Sequence, residues 1–456
     1  MMRSKLLIIF FLLAIGVNAQ CWQKISAGNH FTAAIKSDGT LWTWGDHQYG
    51  QLGIGPVTSD VGAPVQVGTD NDWSFVFAGW YSVFAIKNNG TLWAWGQNTY
   101  GKLGDGTTSQ RNTPVQIGTD SDWQSISSNI NCTMGIKTNG SLWAWGGNMS
   151  GQLGDGTYVN RPSPVRIGTA NDWVSVSVGS SHNIARRANN TLWTWGVGLN
   201  GQLGLGTTMF VNTPTQVGNG TDWAFATAGE QHGVAIKTNG TLWTWGYNAQ
   251  GQLGDNTTTN KTAPIQIGTD TDWLKVQANN HNLAIKTNGS VWGWGLNTSY
   301  QLGDGTITNR VAPFQISGVT GIQNATAGLS FSFVQDGTTS TWGFGNNSDG
   351  MLGDGTYIQK TIPSALFSCT GLNVPENNLS FLKIFPNPSS GLFTIQSEGE
   401  SIQSVWVYDV LGKRLVAQNI FGNHANFDLA GKPPGIYLIK IQFENKGIET
   451  RKLVIR

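Results

Sequence analysis

The feature that most constrains this chain is a short tryptophan-rich segment that returns about every 50 residues. Its first copy reads Leu41-Trp-Thr-Trp-Gly45 and is followed by Gly50-Gln-Leu-Gly53. The glycine that closes the segment recurs seven times, at Gly45, Gly96, Gly146, Gly196, Gly246, Gly295 and Gly345. A fixed period of this length indicates a repeat architecture in which each copy forms one supersecondary unit.

Each repeat is expected to contain four short strands, and the second repeat shows the pattern. Strands are predicted at Ala63 to Val67, Trp73 to Phe77, Val83 to Lys87 and Leu92 to Gly96, and Asn89-Gly90 predicts a tight hairpin between the last two. Both faces of the strand ending at Gly96 are apolar, so it needs cover on both sides. Radially stacked sheets supply that cover. The sequence therefore predicts an all-β chain with a seven-bladed β-propeller, whose buried indoles donate to carbonyls of the next blade.

The two ends of the repeat region predict how the ring closes. The first repeat begins at Cys21-Trp22 and lacks one strand, and Pro363 to Phe367 matches the missing one. We expect that strand to complete the first blade, because closure removes exposed sheet edges. It would bring Cys21 close to Cys369, so we predict a disulfide between them. Cys132 is left over and is expected to be a small buried core residue.

The N-terminus and the net charge indicate export and argue against nucleic-acid binding. Arg3 and Lys5 precede an apolar run that is too short to span a bilayer, which predicts a signal peptide over residues 1–19. Lipid modification of Cys21 is an alternative that the preceding glutamine disfavours. No later segment is expected to cross a membrane. The net charge is +1 and no basic block is visible, whereas nucleic-acid binding needs a cationic footprint.

The repeat resembles the regulator-of-chromosome-condensation family over residues 22–369. The residues that carry the resemblance are Ala228-Gly229-x-x-His232, Ala235-Ile236, Gly240, Trp245-Gly246-x-Asn248 and Gly251-Gln-Leu-Gly254. The resemblance implies a seven-bladed propeller, which we assign to residues 20–369. The aligned His182, His232 and His281 lie whole blades apart, so hydrogen bonding within the scaffold is expected of them rather than zinc ligation.

After a predicted linker over residues 370–380, the pattern changes to alternating apolar residues between Gly, Pro and Asn breaks. This change predicts a small antiparallel β-sandwich over residues 381–456. The segments Ile384-Phe-Pro-Asn-Pro-Ser-Ser-Gly391, Gly435-Ile-Tyr-Leu-Ile-Lys-Ile441 and Lys452-Leu-Val-Ile-Arg456 closely resemble the C-terminal sorting domain of type IX secretion. The resemblance implies that residues 381–456 engage that secretion machinery, and that the product is secreted or held at the outer cell surface.

The variable loops predict a binding surface on one face of the ring. The turns between the second and third strands of each repeat, and the long connections after the tryptophan strand, differ in sequence and share a face. A rigid scaffold with one variable loop face is typical of a binding protein, although relaxed drift of a solvated surface or inward-folded rings would look the same. The candidate binding residues are Phe31, Trp80, Tyr81, Arg111, Tyr158, Arg161, Phe210 and Tyr357.

We expect no catalytic residue, metal or cofactor. No metalloprotease, nucleophile-elbow or phosphate-loop motif is present. The Leu-Gly-Asp-Gly aspartates Asp105, Asp155, Asp255, Asp304 and Asp354 supply one carboxylate per blade, which favours turns over calcium sites. The leading hypothesis is a non-enzymatic module that binds an extracellular protein or glycan. The alternatives are an extracellular polysaccharide-acting enzyme, whose carboxylates sequence spacing would not reveal, and a structural surface protein.

Overall fold

The computed structural model describes residues 21–337, 340–368, 382–409, 413–444 and 448–456. These residues fall into two compact units, one within residues 20–369 and one within residues 370–456. The predicted signal peptide, the predicted linker and Cys369 lie outside the described residues, so these segments and the Cys21–Cys369 disulfide stay predictions. Within the described ranges, no helix combines the length and the apolar character that a membrane crossing requires.

The first unit contains seven four-stranded antiparallel sheets, named blades 1 to 7, each built from four consecutive strands. Blades 1 to 3 consist of β1 (Trp22–Ala27), β2 (Phe31–Lys36), β3 (Leu41–Gly45), β4 (Val61–Gln66); β5 (Trp73–Ala78), β6 (Ser82–Lys87), β7 (Leu92–Gly96), β8 (Arg111–Gln116); and β9 (Trp123–Ser128), β10 (Cys132–Lys137), β11 (Leu142–Gly146), β12 (Arg161–Arg166). One short 3-10 turn, Thr99–Gly101, follows β7.

The other four blades repeat the same order. They consist of β13 (Trp173–Val178), β14 (His182–Arg187), β15 (Leu192–Gly196), β16 (Val211–Gln216); β17 (Trp223–Ala228), β18 (His232–Lys237), β19 (Leu242–Gly246), β20 (Lys261–Ile267); β21 (Trp273–Ala278), β22 (His281–Lys286), β23 (Val291–Gly295), β24 (Arg310–Gln315); and β25 (Asn324–Ala327), β26 (Phe331–Gln335), β27 (Ser340–Gly345), β28 (Lys360–Ser368). The predicted all-β, seven-bladed propeller is confirmed.

The second tryptophan of each repeated pair joins neighbouring blades. These side chains are fully buried at Trp44, Trp95, Trp145, Trp195, Trp245 and Trp294, and Phe344 takes the position in blade 7. Five of the indoles donate to a backbone carbonyl of the adjacent blade, as with Trp195 Nε1 and Gln152 O at 3.1 Å. The acceptor lies in the preceding blade rather than the next one. Hydrophobic burial and a hydrogen bond thus act on the same inter-blade contact.

The predicted closure by the last strand is wrong. The final strand β28 pairs with β27 of its own blade, and β1 pairs with β2, so blade 1 is complete without a strand from the far end. The ends do meet, because the rings of Trp22 and Phe367 lie 5.5 Å apart between centroids. Blade 7 closes against blade 1 through side chains, including the Trp44 Nε1 bond to Met351 O at 2.8 Å.

The turns divide between two faces of the ring. One face carries the turns between the first and second strands of each blade and the long loops between the third and fourth strands, and we name it the loop face. Contacts such as Lys102 Nζ to Ile130 O at 3.1 Å join a long loop to the next blade's turn. The Asn-Gly hairpins lie on the other face, where a Cβ on Gly90 would meet Ser121 O at 2.1 Å. That hairpin therefore requires glycine.

The first strands of the blades line a central cavity of about 610 Å³. Its lining comes from β1, β5, β9, β13, β17, β21 and β25, together with first turns such as Gly79-Trp80 and Gly229-Glu230. The innermost strand of each blade is thus the one that begins with the Trp73-type residue, and the outermost is the one after the long loop.

The second unit is an antiparallel β structure of two sheets. Strands β29 (Leu382–Phe385), β30 (Leu392–Ser397) and β33 (His424–Asp428) form one sheet, and β32 (Arg414–Gly422), β31 (Ile402–Tyr408), β34 (Gly435–Phe443) and β35 (Ile448–Ile455) form the other. Alternating residues such as Val405, Val407, Ile439 and Ile441 are fully buried in one core. The alternation in the sequence therefore corresponds to an inward-facing side of each sheet.

Candidate functional site

Five of the seven long loops on the loop face are held by the same buried asparagine–aspartate pair. In blade 3, Asn148 Nδ2 donates to Asp155 Oδ1 at 3.0 Å, and Asn148 Oδ1 accepts from Leu153 N at 2.9 Å. Asp155 also pairs with Arg161 at 2.9 Å. The five pairs are Asn98–Asp105, Asn148–Asp155, Asn248–Asp255, Asn297–Asp304 and Asn347–Asp354. The Leu-Gly-Asp-Gly aspartates therefore cross-link their own loops.

The electrostatics of these aspartates agree with that role. Burial acts to raise the pKa of Asp155, but hydrogen bonds from Thr157, Arg161 and Asn148 outweigh it and lower the pKa below the ordinary value. Arg111 pairs in the same way with Asp105 at 2.6 Å. The predicted binding residues Arg111 and Arg161 are thus already ion-paired within their loops, and any contact they make with a ligand stays a prediction.

The prediction that Phe31 is an exposed aromatic is wrong. Its ring is fully buried in the core between blades 1 and 2. Phe31 begins β2 at the position that His232 holds in β18, and both rings lie over a glycine. A Cβ on Gly28 would come within 2.5 Å of Phe31 Cε1, and one on Gly229 within 2.2 Å of His232 Cε1. The Gly-x-x-ring pattern is therefore a packing device that turns the ring inward.

The remaining predicted aromatics are accessible but separate into two groups. Tyr158 and Phe210 lie at the tips of the long loops of blades 3 and 4, where 56% and 45% of their surface is exposed. Trp80, Tyr81 and Tyr357 lie instead in the sector of the loop face formed by blades 7, 1 and 2. The structure therefore does not gather all the predicted residues at one place.

A cluster of three half-buried aromatics occupies that second sector, and we name Tyr49, Trp80 and Tyr81 the aromatic cluster. The rings of Tyr49 and Tyr81 are 4.7 Å apart between centroids, and those of Trp80 and Tyr81 are 6.1 Å apart and nearly perpendicular. Trp80 also lines the central cavity. The cluster thus extends from the cavity mouth onto the loop face, with rings fixed by mutual contact.

Charged side chains surround the aromatic cluster at the junction of blades 7 and 1. His30 Nδ1 lies 2.7 Å from Asp349 Oδ2, across that junction. Hydrogen bonding to Asp349 raises the pKa of His30, and the same bond lowers the pKa of Asp349. The hydroxyl of Tyr357 donates to Asp60 O at 3.1 Å in the same region. The junction therefore combines an ion pair with hydrogen-bonding aromatics.

One group in the described part of the chain could hold a metal ion. Asp46, His47 and Asp60 each offer a ligand atom, and these atoms lie within 4.8 Å of one another. Sequence reasoning missed this group, because its three residues occur in one repeat only, and it also missed Tyr49. A signal was present, since the loop from Asp46 to Asp60 is one residue longer than its counterpart in blade 2 and replaces the asparagine with His47.

The central cavity offers little for acid–base chemistry. Among its described lining residues the only carboxylate is Glu230, whose pKa is raised by burial. Hydrolysis of a glycosidic bond ordinarily uses two carboxyl groups on either side of that bond. Glu230 is therefore the one carboxyl group in the described lining of the cavity.

Two other buried titratable side chains lie under the loop of blade 2. Lys102 is fully buried, and desolvation lowers its pKa to about 7 while Nζ donates to Gln97 Oε1 at 3.0 Å. Burial raises the pKa of the nearby Cys132 to about 12. Cys132 is a buried free cysteine, as predicted, and its thiol is held in the unreactive protonated form.

Comparison with known families assigns both units of the chain. Residues 12–235 match the RCC1-like domain, and residues 239–285 and 288–335 match the regulator of chromosome condensation (RCC1) repeat. Residues 383–456 match the secretion system C-terminal sorting domain. The sorting domain directs the chain to the type IX secretion machinery, and hence to secretion or attachment at the outer surface.

Matches to characterised relatives are short. The chain is 38% identical over 91 residues to the ultraviolet-B receptor UVR8 of Arabidopsis thaliana, covering 20% of each protein. It is 29% identical over 89 residues to the human regulator of chromosome condensation, covering 20% of this chain and 21% of that protein. The matched segment thus spans about a fifth of these relatives.

Solved structures extend the likeness across the ring. Human WBSCR16 superposes with a TM-score of 0.65 at 19% identity, covering 72% of this chain and 93% of that one. Prp20p of Saccharomyces cerevisiae gives a TM-score of 0.64 at 18% identity, covering 80% and 89%. At these identities the likeness establishes the fold. The chain therefore belongs to the RCC1-like repeat propellers and carries a C-terminal type IX secretion sorting domain.

Proposed function

We propose that this exported propeller is a non-enzymatic module that binds an extracellular protein or glycan through the sector of the loop face formed by blades 7, 1 and 2. The observation that carries the proposal is the convergence of Tyr49, Trp80 and Tyr81 beside the His30–Asp349 pair at the cavity mouth. Aromatic rings anchor protein interfaces and stack on flat sugar faces, and flanking polar groups fix the register of a ligand.

The geometry favours binding over catalysis. The rings of the aromatic cluster are held by each other, so little side-chain entropy would be lost when a ligand contacts them. The cavity beside them has the single carboxylate Glu230 among its described lining residues. A polysaccharide-acting enzyme would need a second carboxyl group facing the same bond. The central cavity therefore lacks the carboxyl pair that the rival enzymatic function would need there.

The cluster can be tested by substitution in the full mature chain. Ligands would first be selected on a glycan array and by cross-linking to intact neighbouring cells, and affinity would then be measured by titration. We expect Trp80→Ala and Tyr81→Ala each to weaken binding by roughly 10-fold or more, because truncating an anchoring aromatic commonly costs about 2 kcal/mol. Unchanged near-ultraviolet circular dichroism would show that the ring remains folded.

Tyr158→Ala is the matched control, because it removes an exposed aromatic from the same face but from blade 3. We expect it to retain wild-type affinity. Full affinity of the Trp80 and Tyr81 variants, with loss in the Tyr158 or Phe210 variant, would contradict the placement. A non-enzymatic role would be contradicted if the wild-type chain released reducing sugar from a polysaccharide and the Glu230→Gln variant did not. Binding only to copies of the chain would instead support a structural surface protein.

A further inference from the structure

The long loop of blade 1 departs from the construction that the other loops share. At the position of Asn148 in blade 3 it has His47, and at the position of Asp155 it has Ile54. The cross-link is replaced by a contact from the far end of the loop, where His47 Nδ1 lies 2.8 Å from Asp60 Oδ1. Two titratable groups thus occupy the place of a neutral asparagine and its partner.

A third titratable group, Asp46, is directed into the same place. Only 7% of Asp46 is exposed, and its carboxylate accepts one hydrogen bond, from Gln48 N at 2.9 Å. Among the described residues, no lysine, arginine or histidine forms an ion pair with Asp46, and its second oxygen, which is not fully buried, receives no hydrogen bond from the protein. Burying a carboxylate without a counter-charge is unfavourable. The fold therefore keeps a negative group where a cation would stabilise it.

The surroundings add negative charge rather than neutralising it. The carboxylates of Asp60 and Asp349 lie close enough to Asp46 for their charges to act on it. Asp349 is itself paired with His30 across the junction of blades 7 and 1. The three carboxylates thus face two imidazoles, of which His47 is engaged with Asp60. A divalent cation would compensate the excess negative charge of these carboxylates.

Blade 4 shows that the fold of the loop does not require these groups. It also lacks the asparagine–aspartate pair, with Gly198 and Leu205 at those positions and Phe210 in the place of Asp60. Its long loop still closes, through Gly201 N to Gly198 O at 2.8 Å and Gly206 N to Thr262 O at 2.8 Å. Loss of the pair is therefore tolerated without titratable substitutes, and blade 1 has acquired its set for another reason.

The geometry points to a divalent transition-metal site formed by Asp46, His47 and Asp60, with zinc as the ion that suits the ligands. Their ligand atoms already lie within 4.8 Å of one another. An imidazole with two carboxylates matches zinc, whereas calcium prefers oxygen ligands alone. With metal–ligand distances of about 2.0–2.2 Å, tetrahedral ligands lie roughly 3.3 Å apart. The His47–Asp60 contact would open by about 0.5 Å as the ion replaces the shared proton.

Three protein ligands leave a fourth tetrahedral position open. Water would occupy it in the free protein, as at other three-ligand zinc centres. The site lies in the long loop whose Tyr49 belongs to the aromatic cluster. Metal binding would therefore cross-link that loop in the way that the asparagine–aspartate pair cross-links five others.

The test uses the tag-free mature chain, stripped with a chelator and titrated with Zn²⁺ by isothermal calorimetry. We expect one ion per chain. Asp46→Asn, His47→Gln and Asp60→Asn should each weaken the affinity by roughly 10-fold or more, since even outer-shell changes cost that much at known sites. His424→Gln, which removes an exposed imidazole from the second unit, should leave the affinity unchanged. Mg²⁺ should not compete.

A second measurement separates metal binding from folding of the variants. At the same Zn²⁺ concentration, the thermal midpoint of the wild-type chain should rise more than that of His47→Gln, while both keep the same near-ultraviolet circular dichroism without metal. Co²⁺ bound to the wild-type chain should give the visible absorption of a tetrahedral complex. Absence of stoichiometric Zn²⁺ binding, retention of affinity in all three ligand variants, or loss of affinity in His424→Gln would each overturn the assignment.

Discussion

Replacing Trp195 with alanine is expected to lower the free energy of unfolding by about 3–5 kcal/mol. The indole is fully buried between blades 3 and 4, and its Nε1 donates to Gln152 O at 3.1 Å. It also meets Trp173 edge-to-face, with 6.3 Å between ring centroids. A Cβ on Gly154 would come within 2.7 Å of Nε1, so the ring lies directly against the backbone of the adjacent blade. Removing the ring would therefore leave a cavity that the surrounding backbone cannot fill. Urea unfolding followed by circular dichroism measures the effect.

Trp195→Phe is the matched control, because blade 7 has Phe344 at the corresponding position. We expect it to cost about half as much or less, since most of the apolar area is retained. The lost hydrogen bond leaves Gln152 O still bonded by Asn183 Nδ2 at 2.7 Å. A loss below about 1 kcal/mol for Trp195→Ala, or equal losses for both variants, would contradict the inter-blade role of the indole.

Acidification from about pH 7 to about pH 4.5 is expected to lower the free energy of unfolding by several kcal/mol. Burial lowers the pKa of His182 to about 3, of His232 to about 4 and of His281 to about 3. The ordinary value of 6.5 applies to each in the unfolded chain. Because the folded state keeps these rings neutral, their contribution is fully present above the ordinary pKa and is lost as the pH falls towards the folded values. Between the ordinary and the folded pKa, each pH unit of acidification lowers the free energy of unfolding by about 1.4 kcal/mol for each histidine ring.

Other groups titrate in the opposite direction or at lower pH. The pKa of His30 is raised by its bond to Asp349, so that pair gains stability as the pH falls and offsets part of the loss. The loop aspartates have lowered pKa values, and their contribution disappears only below about pH 4. His281→Gln should reduce the pH slope by roughly one third. Stability that is constant across this range would contradict neutral buried histidines.

The architecture could be predicted from the sequence because each repeat specifies its own local structure. The paired tryptophans of β7 are apolar on both faces, and the Asn89-Gly90 hairpin fixes the register of β6 against β7. The glycine that ends this strand recurs seven times, so the number of blades follows directly. Export could also be predicted, because the segment around Ile384 and the final strand both belong to the contiguous sorting domain of residues 383–456.

The closure of the ring could not be predicted in the same way. In a circular array the strand Val61–Gln66 could be the last strand of blade 1 or the first strand of blade 2. Both assignments give the same periodic sequence pattern. The choice depends on the long loop from Asp46 to Asp60, which folds back so that Val65 pairs with Thr43. Hydrogen bonds between distant residues decide this pairing, and local propensity does not encode them.

The candidate site was predicted in part, and the failures have physical causes. Trp80 and Tyr81 were identified because they interrupt the repeat at a turn. Phe31 was misplaced because the start of β2 turns its ring inward over Gly28. Tyr49 and Asp349 come from different blades, and only closure of the ring brings them to the same sector.

The most direct test of the proposed binding face is hydrogen–deuterium exchange of the mature chain with and without its selected ligand. We expect slowed exchange in three segments: residues 29–31, residues 46–50 and residues 80–82. The Asn89-Gly90 and Asn239-Gly240 hairpins on the opposite face should exchange at the same rate in both states. Protection confined to those hairpins, or to the loop tips around Tyr158 and Phe210, would contradict binding at the sector formed by blades 7, 1 and 2.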